Sequence, residues 1–117
     1  MTEEEIDALH NAYRKARKSY CDLDAKRQKL GRDISFIGGL IAPEHNGKYR
    51  SQSTGLSAQQ VEKVQNMPAP DAILEVMTDW SEAQENLLRI WNSLPAEERK
   101  HCQDLPDGLE FLTRPFR

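Results

Sequence analysis

Two cysteines, three histidines and a scatter of carboxylates are the side chains of this 117-residue chain that could carry chemistry. A cysteine nucleophile requires a neighbouring base and surroundings that favour the thiolate. Cys21 stands among Tyr20, Asp22 and Asp24, where acids raise a thiol pKa, so it reads as a small helical side chain. Metal binding requires several His, Cys or carboxylate ligands at set spacing. The one adjacent His-Cys pair is His101-Cys102, and neighbours on a helix diverge by about 100°. His10, Cys21 and His45 are scattered elsewhere, and no metal site is expected. Asp22 and Asp24 are two apart and face different sides, whereas Glu82 and Glu85 share a face that reads as solvated. Gly38-Gly39 lacks the Lys-Ser or spaced glycines of a phosphate cradle. No catalytic constellation and no cofactor are predicted, which disfavours an enzyme.

Charge offers surfaces instead. The formal net charge is only −3, but residues 13–50 hold ten Lys or Arg against four acids, and residues 51–117 hold six against eleven. Arg14, Lys15, Arg17 and Lys18, with Lys26, Lys29 and Arg32 further on, lead into Lys48-Tyr49-Arg50, where an aromatic ring could stack on a base. That is a candidate phosphate-tracking surface. A pI near 5.6 argues against a dedicated nucleic-acid binder, and the acidic half could neutralise the basic one. Asp71, Glu75, Asp79, Glu82 and Glu85 recur along one predicted helix. A rod of carboxylates could engage the Lys and Arg of a partner by imitating phosphates, although an ordinary solvated face has the same composition.

The elements that would hold these surfaces are helices. Ile6, Leu9, Tyr13, Ala16, Tyr20, Leu23, Arg27, Leu30, Ile34 and Ile37 form an unbroken 3-4 series. Such a stripe faces a partner helix along its whole length. Thr2 and Glu5 make a capping-box pattern, so the first helix is expected from Glu3 to Ile37, with Gly31 a weak point and Gly38-Gly39 a stop. Arg27, the one charge in the stripe, is expected to set register. Ser57 and Gln60 open a short helix, with Leu56 and Val61 as its staple, that ends before Pro68. From Pro70 to Leu94 a second long helix carries Ile73, Val76, Trp80, Ala83, Leu87, Ile90 and Leu94, with Leu74, Met77, Leu88 and Trp91 widening its apolar face. It is expected to be the more buried of the two, with Trp80 and Trp91 in the core. Pro95 starts a further element, and Pro106 with Gly108 breaks it before Leu109, Phe111 and Leu112. Residues 42–56 read as a long loop and residues 113–117 as a loose tail.

The resulting expectation is a single all-α domain spanning 1–117, an antiparallel pair of long helices in a coiled-coil-like hairpin with two or three short helices packed beside it. No apolar run approaches the roughly 20 residues of a membrane span. An acidic N-terminus without a leader pattern and only two cysteines fit a reducing cytoplasm. The leading functional expectation is a non-enzymatic regulatory or adaptor protein that binds a protein partner through the acidic face, with inhibition of a nucleic-acid-processing complex as its candidate role. Self-association into a homodimer through the first stripe accompanies it. The alternative is direct nucleic-acid binding by the basic helix and residues 48–50.

Overall fold

The computed structural model describes residues 1–41 and 57–109, and among these it is all-helical. Four helices follow in order: α1 (Glu3–Ile41), α2 (Ala58–Gln65), α3 (Pro70–Ser93) and α4 (Ala96–Arg99). None of them is long and apolar enough to cross a membrane. The expected loop at 42–56 and tail at 113–117, together with Leu56, Lys48, Tyr49, Arg50, Phe111 and Leu112, lie outside the described residues.

α1 begins where its cap predicts, with the Glu5 amide donating to Thr2 Oγ1 at 3.1 Å and Glu3, Glu4 and Glu5 in the positive first turn. Its end differs from expectation. The helix passes through Gly31, Gly38 and Gly39 to Ile41, a length of about 58 Å at 1.5 Å per residue. The physical reason is that a helical glycine costs only about 1 kcal/mol, and the buried Ile37 before Gly38-Gly39 and the half-buried Leu40 after them anchor the turns on either side. α2 carries the full reciprocal cap: the Gln60 amide donates to Ser57 Oγ at 3.2 Å, and the Ser57 amide donates to Gln60 Oε1 at 2.8 Å. α3 starts with Pro70 in its first turn, where the missing N–H is no loss.

α1 packs against α3. Tyr13, Ala16 and Tyr20 from the first stripe meet Leu87 and Leu94, and the chain beyond α4 adds Leu105 and Leu109 to the same buried cluster. Tyr13 lies 5.4 Å from Trp91, and Tyr20 lies 6.4 Å from Trp80. Contacts therefore descend α3 as they ascend α1. The segment after α3 is tied across α1 by polar bonds: Tyr13 Oη donates to the Gln103 carbonyl at 2.7 Å, and Arg17 Nε donates to the Asp104 carbonyl at 2.8 Å.

α3 is not the more buried helix. Leu87 is its one fully buried residue, whereas α1 buries Tyr13, Ala16, Tyr20 and Ile37. Trp80 and Trp91 pack against the core from half-buried positions. The cause is a graded core: apolar side chains are covered around residues 13–20 and 87–109, while Leu74 at 65% exposure and Met77 at 42% stand open at the other end of α3.

Two glycines should respond in opposite ways to alanine. Gly31 sits in a helix interior with open space where a Cβ would go, so Gly31→Ala should raise stability by about 0.4–1 kcal/mol. Gly108 has φ 92°, in a turn closed by the Leu109 amide donating to the Pro106 carbonyl at 3.1 Å, so Gly108→Ala should cost about 1–2 kcal/mol. Urea unfolding of both variants checks the pair of signs.

Candidate functional site

α3 positions the acidic set on one face. Asp71, Glu75, Asp79, Glu82 and Glu85 are separated by four, four, three and three residues, which places them within an arc of about 120° and along about 21 Å of helix. All five are exposed, opposite the side that carries Trp80, Ala83 and Leu87 into the core. None makes an ion pair with another described residue; the ion pairs found lie within α1, between α1 and α2, and between His10 and Glu98. The neutralisation of the basic helix by the acidic one, conceivable from composition, is thus not made by direct α1–α3 pairs among the described residues.

Apolar groups border this face. Leu74 and Met77 flank it on α3, and Val61, Val64 and Met67 are exposed in and just after α2. Where α1, α2 and α3 meet, two grooves adjoin. One of about 630 Å³ runs between α1 and α2 past Asp33, Ile37, Lys63 and Met67. The other, about 390 Å³, runs between α1 and α3 and is lined by Lys26, Lys29, Leu30, Val76, and the carboxylates Glu75 and Asp79. Lys29, Asp33 and Pro68 belong to both. The acidic face therefore continues into a partly apolar groove.

The basic set is divided. Arg14, Lys15 and Lys18 are exposed on α1. The Arg14 guanidinium donates to the Asn11 side chain, and Lys18 pairs with Asp22 at 3.0 Å. Arg17 is half-buried and holds the Asp104 carbonyl, so it is a structural tie. Lys48, Tyr49 and Arg50 cannot be related to these positions, since they fall outside the described residues.

Arg27 has a defined partner set. It donates to Asp24 Oδ1 through Nη2 at 2.7 Å and Nε at 3.2 Å, and its guanidinium carbon lies 4.5 Å from the centre of the Trp80 ring. Asp24 Oδ1 also accepts from Trp80 Nε1 at 3.0 Å. One carboxylate thereby satisfies the indole of α3 and the guanidinium of α1 together. Asp33 plays the corresponding part for α2, accepting from Lys29 at 3.1 Å and Lys63 at 3.4 Å. The Lys29 hydrogen bond, with Lys63 behind it, holds the Asp33 carboxyl below its ordinary range.

Sequence reading missed one cluster. His10 Nε2 lies 2.9 Å from Glu98 Oε1, and His10 Nδ1 lies 3.3 Å from Cys102 Sγ. The contacts join positions 88 and 92 residues apart, and no local spacing announces them. The adjacent His101 is exposed and takes no part. Burial first, then the Glu98 carboxylate, push the Cys102 thiol up, against the pull of Arg14. Among the described residues no three His, Cys, Asp or Glu side chains converge as a metal ion requires. Comparison with protein-family models, curated proteins and solved structures finds no match to this chain.

Removing the Asp24 carboxylate should strand both the Trp80 indole and Arg27. Asp24→Ala is expected to cost about 1–2 kcal/mol, read from denaturant unfolding followed by tryptophan fluorescence. The Asp33 contact should respond to acid. Its carboxyl titrates lower in the folded state than in the unfolded chain, so the contact contributes above the ordinary carboxylate range and is lost as pH falls through the depressed value. Amide exchange in α2 should therefore accelerate, relative to that of α1 and α3, once pH drops below about 4, and Asp33→Asn should remove that pH dependence.

Proposed function

We propose that this chain is a non-enzymatic helical module that acts by binding a protein partner, with the acidic face of α3 as its contact surface. In this reading α1 and α3 act as a rigid, coiled-coil-like hairpin that presents Asp71, Glu75, Asp79, Glu82 and Glu85 as a fixed row of negative charge. The observation that supports it is that these five carboxylates are exposed together, without an ion-pair partner among the described residues, beside the uncovered Leu74 and Met77. Carboxylates bound within a fold are neutralised by its own cations; a row left open beside apolar groups suits a partner that brings Lys or Arg and an apolar anchor. A basic channel that ordinarily holds nucleic acid has that chemistry, so the partner class is a nucleic-acid-processing complex and the mode of action is occupation of its channel. Leu74 and Met77 supply desolvated contact and the acids supply orientation and encounter rate.

The test is cross-linking in cells of the source organism, followed by mass spectrometry, with the wild type, a Glu75→Lys/Asp79→Lys/Glu82→Lys variant and Leu74→Glu. The triple reversal should weaken recovery of the principal partner at least about tenfold at low salt, and Leu74→Glu should weaken it as well, with melting temperatures unchanged. Equal recovery by all three proteins would overturn the acidic face as the contact surface. A shift of duplex or single-stranded DNA by the wild type at low salt, abolished by neutralising Arg14, Lys15 and Lys18, would replace this reading with direct nucleic-acid binding.

A further inference from the structure

We propose that Cys102 is the nucleophile of a Cys102–His10–Glu98 relay and that hydrogen peroxide oxidises it to a sulfenic acid. The geometry runs in one direction. An ionised Glu98 can only accept a hydrogen bond, so at 2.9 Å it places the imidazole proton on His10 Nε2. That leaves Nδ1 with its lone pair 3.3 Å from Cys102 Sγ, nearer than the Glu98 backbone carbonyl at 3.5 Å, the other acceptor within reach of the thiol, and the S–H turned to Nδ1 is the reactive arrangement. Nucleophile, base and orienting carboxylate are then joined in the order that activates a weak nucleophile on other folds.

The surroundings select the reagent. His10 and Glu98 side chains keep 22% and 28% of their exposure, and Cys102 is half-buried, so a small molecule reaches the sulfur. Among the described residues, the grooves at the far end of the molecule are lined by none of the three. In the reaction His10 Nδ1 takes the S–H proton as the sulfur lone pair attacks one peroxide oxygen. The O–O bond breaks, and the departing hydroxide takes the proton from the imidazolium and leaves as water. Sulfur loses two electrons and the peroxide gains them. The surroundings do not favour a standing thiolate, because burial and Glu98 oppose its ionisation, so the activation here rests on the base alone: His10 draws the proton off as the sulfur attacks, and a sulfur of high pKa is intrinsically the stronger nucleophile at that moment.

Cys21 is the internal control. Its Sγ has Arg17 Nη1 at 3.8 Å, and no imidazole or carboxylate among the described residues is bonded to it. It lies eleven residues, about 16 Å, along α1 from the histidine that Cys102 touches. The oxidised sulfur is accordingly reduced by a small external thiol rather than by Cys21.

The experiment exposes the native full-length protein to hydrogen peroxide with a 1,3-dicarbonyl trap for sulfenic acid, and reads each cysteine by peptide mass spectrometry. Cys102 should be labelled at least about tenfold faster than Cys21, and faster than Cys102 in the urea-unfolded chain. His10→Ala should abolish that advantage, and added imidazole should restore part of it; Glu98→Gln should reduce it. Labelling of folded Cys102 at or below the rate of the unfolded chain would overturn the proposal without reference to any variant, and so would an unchanged rate in a folded His10→Ala protein.

Discussion

Burial of Tyr13, Ala16 and Tyr20 against Leu87 and Leu94 is the interaction on which the rest of the structure depends. A lone helix of α1's length has too little covered surface to hold one orientation, and the short helices have less. Only where α1 meets α3 does a continuous apolar cluster form, and Leu105 and Leu109 then close over it. A large aromatic beside a small alanine lets the two helices approach while Trp91 and Trp80 fill the flanks, 5.4 and 6.4 Å from Tyr13 and Tyr20. Gly108 belongs to the same device, because its positive φ turns the chain so that Leu109 points into the cluster.

Polar side chains complete what apolar burial begins. The seam is narrow, so each tyrosine or tryptophan that enters it brings a donor that needs an acceptor. Tyr13 finds the Gln103 carbonyl, and Trp80 finds Asp24. Asp24 would be a poor choice at a half-buried helix position by itself; Arg27 one turn on neutralises it and lies over the Trp80 ring. The charge in the first stripe is thus part of a three-residue clamp that holds α1 against α3 at one height.

The other end of the molecule follows a different rule. Past Trp80 toward the start of α3 the apolar cover is incomplete, with Ile37 buried but Leu74 and Met77 open, and Asp33 with its two lysines provides the described polar link between α1 and α2. The same region carries the open Leu74 and Met77 and most of the acidic row. Stability and exposure are therefore divided along the molecular axis: one end is held by its own side chains, while the other keeps apolar and anionic groups available.

How much of this could be read beforehand depends on the distance over which each feature is encoded. Capping at Thr2 and Ser57, the start of α3 at Pro70, and the apolar stripes are local patterns of three or four residues, and the chain alone determined them. The acidic row is legible for the same reason, since spacing along one helix decides a shared face. The sequence misjudged the end of α1, because a glycine's local cost says nothing of the tertiary cover of Ile37 and Leu40 on either side of Gly38-Gly39. It misjudged the burial of α3, because an apolar stripe does not reveal how far along it a neighbour reaches. Arg17 as a tie to the Asp104 carbonyl, Asp24 as the partner of Trp80, and the meeting of His10 with Glu98 and Cys102 were decided only by the tertiary structure. Each joins residues more than fifty positions apart, and such pairings exist only after the helices have docked, when packing rather than sequence spacing sets which side chains face each other.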